Sequence, residues 1–316
     1  MVTSGSLSDM NRRTLLRGAA IGAVATPLAI AAGSAMADSA RAADYQIAGT
    51  DQAGARIVVF NRNDNWSEST IKWSWHSGSS GWSNLSDVKF RATASFGTVA
   101  IAVASGGNAG IIRQDNKQVL WTGAPGGNPH AIERIPDIGV IITASSGGYL
   151  NVYGPTAISK PSTLARVQQV SLAGAHGVLW DPTLKILWAS ADKQVRAYQV
   201  TGSYRDTRLK DLGKKVTLAG LGHDLQPDYS DKNKLLVTDS YGSYELDKTK
   251  LTLTQVRKQS LIKAFTRHSS GEALWVHGEN IEPRPWASPT VHFDGGDKKL
   301  SGAQFYKARI VTTAFQ

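Results

Sequence analysis

The chain has 316 residues, 41% of them hydrophobic and 19% charged, with a formal net charge of +10 and no cysteine. Apolar and aromatic residues recur along its length, which excludes general disorder and provides a core for one large domain or two small ones. The missing cysteines exclude a disulfide scaffold, thiolate metal ligation and a cysteine nucleophile.

The first predicted element is an export signal over residues 1–37. Arg12 and Arg13 stand before Leu15 and Leu16, a Gly/Ala-rich apolar stretch runs over 18–32, and Ala35-Met36-Ala37 has the small-x-small form of a cleavage site. The order of basic region, apolar region and cleavage site marks a removable leader, and the paired arginines suit the twin-arginine (Tat) route. An apolar run of that length falls short of the roughly 20 residues needed to span a bilayer, so no membrane span is expected. Removing 1–37 takes away three arginines and Asp9 and leaves a net charge of +8 on a chain expected to be secreted. Residues 38–44 read as a short linker.

From residue 45 to 316 the pattern is all-β. Short β-rich runs at 45–48, 56–60, 70–75, 99–104, 140–143, 150–153, 186–189, 194–200, 235–238, 273–276, 290–293 and 308–312 are separated by Gly, Asp, Ser and Asn clusters. A repeat underlies them. Asp87, His130, His176, His223 and Lys263 each lead an apolar strand, a turn and a second apolar strand, at spacings of 43, 46, 47 and 40 residues. About 44 residues is one four-stranded propeller blade. The 272 residues from 45 onward therefore predict a single β-propeller of six blades, seven being the alternative count. The final strand is expected to supply the inner strand of the first blade, which removes two open sheet edges. One closed domain of this kind is expected to be a monomer.

The lead residues should converge beside the axis, with Tyr306 or Lys307 completing the ring from the closing blade. Three of the chain's seven histidines at one repeat position suggest chemistry: His130, His176 and His223 as acid, base or ligands of a divalent metal, with Asp87 as an oxygen donor and Lys263 to neutralise a carboxylate. The loops between second and third strands should open on the same face and bring Asp51, Asp239, Tyr241 and His277, with Tyr241 as a further acid or base. Trp75, Trp82 and Trp286 are candidate stacking platforms for sugar rings. His268 aligns with a turn on the far face, and His76 and His292 have no counterpart in the repeat. The basic residues are scattered rather than interleaved with aromatics on one face, which argues against nucleic acid and suits anionic polysaccharide or oligosaccharide.

The segments Ile47-Ala-Gly-Thr-Asp-Gln52, Pro129-His-Ala-Ile-Glu133, Ala175-His-Gly-Val-Leu-Trp-Asp181, Gly222-His-Asp-Leu225 and Arg267-His-Ser-Ser-Gly-Glu272, behind a twin-arginine leader, resemble a family of exported bacterial propeller proteins of unknown function. The His ring more distantly resembles the propeller-type polysaccharide lyases, including oligogalacturonate, ulvan and rhamnose–glucuronate lyases, which use channel His, Tyr and Arg, some with a metal. That resemblance implies β-elimination on an anionic carbohydrate. The alternative from the same ring is a glycan-binding cup without turnover.

Overall fold

The computed structural model describes residues 44–316, so the expected export signal lies outside the described residues. Strands β1 (Gln46–Asp51), β2 (Arg56–Asn61) and β3 (Trp73–His76) open the first sheet. The second is β4 (Leu85–Thr93), β5 (Gly97–Ala104), β6 (Ala109–Arg113) and β7 (Val119–Gly123). The third is β8 (Pro129–Ile135), β9 (Val140–Ser145), β10 (Tyr149–Gly154) and β11 (Ala165–Ser171). The fourth is β12 (Gly177–Asp181), β13 (Ile186–Thr201) and β14 (Arg208–Leu221). The fifth is β15 (Asp224–Pro227), β16 (Lys234–Asp239), β17 (Gly242–Asp247) and β18 (Thr252–Arg257). The sixth is β19 (Ile262–Arg267), β20 (Ala273–His277), β21 (Thr290–Phe293) and β22 (Lys298–Lys299), followed by β23 (Phe305–Ile310).

These are the six blades of a β-propeller. Strand β23 leaves the sixth blade and returns to the first, giving the order β23-β1-β2-β3, so the chain end supplies the innermost strand as the sequence predicts. Ile47, Ala48 and Gly49 pair with Ile310, Arg309 and Ala308 across that seam. Gly49 is required there, because a Cβ would sit 2.6 Å from the Phe305 ring. The fourth blade departs from the plan: residues 186–190 of β13 pair with β12, and its second half pairs with β14.

The core lies between neighbouring blades. Trp188 packs with Leu179, Leu225, Leu235 and Val237 between the fourth and fifth, and Phe60, Phe305, Leu274 and Val276 close the first against the sixth. Apolar side chains alternate toward these interfaces because each sheet buries both faces against its neighbours. Trp75 and Trp82, 5% and 3% exposed, pack edge to face in this core and offer no stacking surface. No helix among the described residues is long and apolar enough to cross a membrane.

Candidate functional site

The inner strands begin at one mouth of the channel, and a bulge there turns a side chain inward. Between Leu85 and Asp87, between Pro129 and Ala131, and between Ile262 and Ala264 one residue is skipped in the pairing with the second strand. The skipped residues are Ser86, His130 and Lys263. Bulges re-aim a side chain at the end of a ladder, which is how a strand can present a polar group at its tip. The chain enters through a left-handed residue two positions earlier, at Asn84, Asn128, Gly174 and Leu261.

A funnel of about 370 Å³ results, lined by Gln52, Asn84, Ser105, Asn128, His130, His176, His223, Lys263, Trp286 and Tyr306. The His130 and His176 rings stack at 4.3 Å, and His223 meets His176 edge-on at 5.6 Å. Tyr306 Oη lies 3.2 Å from His130 Nδ1, and Lys263 Nζ lies 3.3 Å from His223 Nε2. The ring thus runs Tyr306, His130, His176, His223, Lys263. At the equivalent position the second blade has Ser86, whose short side chain is bonded to Ser105 and to the Asn84 carbonyl, so that Asn84 and Ser105 line the funnel there instead.

Proton positions follow from the partners. His176 Nδ1 is 2.9 Å from the Gly174 carbonyl, which can only accept, so Nδ1 carries the hydrogen and Nε2 keeps its lone pair. Burial, which outweighs the Gly174 bond, pushes His176 down to about 4. Burial and then the Lys263, His176 and Lys307 charges push His223 down to about 2. His130 falls well below its ordinary 6.5, from burial and then from the His176 and Lys307 charges. Burial, then Lys307, lowers Lys263 to about 8. Burial, then Asp224 and Asp87, raises Tyr306, so it is a phenol that holds its hydrogen. At neutral pH the mouth therefore carries three neutral imidazoles, one ammonium and one phenol. None of the ten lining residues is a carboxylate.

One layer deeper the inner strands carry a buried ionic plug. Arg309 donates to both Asp87 and Asp224 at 2.7–3.0 Å. Lys307 bonds the His130 carbonyl at 3.1 Å and pairs with Asp224 at 3.2 Å. Arg91 holds Glu133 with two bonds, and Lys89 reaches Asp87 and two carbonyls. Four cations face three carboxylates, one positive charge in excess, directly beneath the funnel.

This arrangement corrects several expectations. Asp87 is fully buried in the plug, because the bulge puts Ser86 at the ring position and Asp87 one residue further in. Asp51 accepts from the amides of Ala53, Gly54 and Gln304 and from Arg56, so it fixes a turn rather than facing the funnel. Asp239 does likewise for Gly220, Tyr241 and Gly242. Tyr241 is 60% exposed and borders a separate surface hollow with Ala219, Tyr244 and Lys258. His277 sits in a different cluster in the sixth blade, beside His292. Trp286 does reach the rim, 39% exposed, with its indole N–H donated to Gln52. Gln52, Ser105, Asn84 and Asn128 line the funnel too: Gln52 and Ser105 lie in the loops between second and third strands, and Asn84 and Asn128 stand two residues ahead of Ser86 and His130. His268, on the far face, stacks on Tyr45 at 3.9 Å.

His130, His176 and His223 do not draw together as a metal site would require. Among the described residues, the group that brings His, Asp or Glu ligand atoms within 4.8 Å of one another is His277, Glu279 and His292.

The molecule is thus a six-bladed propeller with a carboxylate-free, histidine-lined funnel closed from below by paired charges. The chain belongs to a family of unknown function, DUF6528, whose profile matches residues 50–315. Among curated proteins, none matches the sequence significantly. Its fold is similar to that of a protein of unknown function from Bacteroides caccae, at a TM-score of 0.56 and 11% identity, over 85% of this chain and 99% of that one. A functionally unknown protein from Desulfotomaculum acetoxidans is similar at a TM-score of 0.55 and 12% identity, over 85% and 99%. A chain of a nidogen–laminin complex is similar at a TM-score of 0.56 and 10% identity, over 86% and 99%. At these identities the likeness concerns the fold alone.

Proposed function

We propose that the chain is exported and acts in its funnel on an anionic carbohydrate, by β-elimination next to a uronate carboxylate. The observation that carries this is the donor set of the mouth: an ammonium, neutral imidazoles and a phenol without a carboxylate, above a plug with excess positive charge. Such a cup attracts a carboxylate, and Lys263 is placed to pair with it. His176 Nε2 takes the proton α to that carboxylate. The electron pair forms the new carbon–carbon double bond, and the bond to the oxygen on the β carbon breaks. With His130 donating from Nδ1 to Tyr306 Oη, the phenol hydrogen is free to pass to the leaving oxygen. A bound carboxylate beside His176 raises the imidazole from about 4, which improves it as a base. Hydrolysis by a carboxylate pair is less well supported, since Asp51 and Asp239 are both spent on turn amides.

The half-exposed Trp286 at the rim favours a second reading, a glycan-binding cup without turnover. Incubation with a panel of uronate-containing oligosaccharides separates the two. Elimination gives a new ultraviolet-absorbing unsaturated end, reduced about 100-fold or more in His176→Ala and in Tyr306→Phe. Saturable binding without that absorbance establishes the cup. Neither turnover nor binding across the panel overturns both.

A further inference from the structure

The sixth blade holds a second histidine pair that the funnel chemistry does not use. His277 ends β20 and His292 lies in β21, and their rings stack at 4.6 Å. Trp275 also stacks with His292 at 5.3 Å, and the Arg257 guanidinium lies 3.5 Å from the Trp275 ring centre. The His292 ring thus stacks with two others. Its Nδ1 is 2.9 Å from an Asp297 carboxylate oxygen, which accepts, so Nε2 carries the lone pair. A carboxylate behind an imidazole in this way fixes the tautomer and strengthens the free nitrogen as a ligand.

Among the described residues that free nitrogen has no hydrogen-bond partner. His292 Nε2 and His277 Nδ1 are both buried and both lack a hydrogen-bond partner. Glu279 Oε1 approaches His292 Nε2 to 4.0 Å and accepts from Ser288 Oγ at 2.5 Å, which leaves its second oxygen. One ligand atom from each of the three residues lies within 4.8 Å of the others. Around a tetrahedral zinc-type ion, ligand bonds of about 2.0–2.2 Å put the donors about 3.4 Å apart, so the donors draw together by about 1 Å and the stacked imidazoles turn out of their stack to aim both lone pairs at one ion. Two imidazoles and one carboxylate suit borderline ions rather than calcium or magnesium, which take oxygen ligands.

We propose that His277, Glu279 and His292 bind a divalent ion of the zinc or cobalt type, with Asp297 orienting His292. The three ligands stand at the two ends of the 278–289 segment, which is tied on itself by bonds from the Glu279 amide to Ala287 and from the Asn280 amide to Pro285. This segment carries Trp286 to the rim of the funnel. The ion fastens the base of that segment to β21 and so holds the rim. The site stands whether or not the funnel is catalytic.

The test is titration of the chelator-treated full chain with cobalt and then zinc, followed by visible absorbance and thermal unfolding. One cobalt per chain with tetrahedral-type bands, displaced by zinc and accompanied by a higher Tm, is the expected result. His292→Gln and His277→Gln remove the bands. Asp297→Asn weakens binding about 10-fold or more. His176→Gln leaves binding unchanged, which separates this site from the funnel. Should a histidine variant fail to fold, Glu279→Gln, at a partly exposed side chain, tests the same site by weakened binding. Absence of saturable cobalt binding by the folded chain, or binding that survives His277→Gln with His292→Gln and is lost in His176→Gln, overturns the proposal.

Discussion

Two layers of the same inner strands, one to five residues apart, are built on opposite rules. In the plug every charged group has a polar partner, although cations outnumber carboxylates by one: Arg309 joins Asp87 to Asp224, Lys307 and Lys89 bridge carboxylates to carbonyls, and Arg91 grips Glu133. In the mouth the ionisable groups face one another with no counter-charge. Lys263 points at a neutral imidazole, two histidines stack, and the Nδ1 of His223 is buried without a partner. Burial is severe in both places, so its effect differs only through the partners. In the plug burial works to raise Asp87, but the Lys89 and Arg309 charges overcome it and hold the carboxyl below the usual carboxylate range. In the mouth nothing opposes burial effectively, and the bases lose their protons. The plug therefore reads as structure, and the mouth as a place where an anion from outside supplies what is missing.

The comparison breaks most visibly if one cation is removed from the plug. Arg309→Leu removes the guanidinium that joins Asp87 to Asp224, leaving them buried with only Lys89 and Lys307 as charge partners, and should cost about 3–5 kcal/mol, seen as a lowered urea midpoint at unchanged slope. A loss below about 1 kcal/mol would mean that water reaches the plug and that the two layers are not distinct.

Acid should act on the mouth before it acts on the plug. His176 has a folded value near 4 against an ordinary 6.5, so between those values the unfolded chain binds a proton that the folded chain does not. Stability therefore falls as pH falls through that window, by about 1.4 kcal/mol per pH unit for each imidazole that stays neutral. Asp87 and Asp224, held below their ordinary 3.8, contribute stability that is lost only below it. His176→Gln should flatten the profile between pH 6.5 and 4 without moving the steeper loss below. A profile identical to wild type would place the acid sensitivity elsewhere.

Lys263 sharpens the contrast in the other direction. Its ammonium is buried without a carboxylate and its value is down to about 8. Lys263→Met should therefore stabilise the fold at pH 7, by about 1–3 kcal/mol, while abolishing binding of an anionic ligand. The wild type gains stability as pH rises from about 8 toward 10.5, and the variant should not.

Much of the mouth was legible because the repeat carries it. His130, His176, His223 and Lys263 stand at one position of a period near 44 residues, and period plus polarity locates a ring without coordinates. The second blade was misplaced because its lead is Ser86, a residue with no pattern of its own, while Asp87 next to it looked like the ring residue. The left-handed Asn84 and Asn128, each two residues ahead of a ring residue, were the available signal. The plug was invisible for a physical reason. Lys89, Arg91, Glu133 and Arg309 interrupt apolar strands with charges that resemble a solvent face, and only closure of the propeller turns that face inward. His277 and His292 are joined through strand pairing, Trp275 lying opposite His292, and no spacing rule links them.

The smallest effect expected separates the funnel from the loops around it. Asp239 and Tyr241 share the turn that joins β16 to β17, and sequence placed both in the site. The carboxylate there is consumed by three backbone amides, which sets the turn and throws the next side chain outward. Tyr241 accordingly ends in solvent beside Tyr244 and Lys258, away from the funnel residues. Tyr241→Phe removes only an exposed hydroxyl. It should change stability by less than about 0.5 kcal/mol and leave ligand affinity at its wild-type value. The matched change Tyr306→Phe deletes the same atom but at a buried phenol bonded to His130, where the cost is about 1 kcal/mol and the affinity or turnover falls. Calorimetric titration of both variants with one uronate oligosaccharide reads the difference. Equal losses in the two would mean that the funnel extends over the outer turns, and that the mouth is wider than its ring.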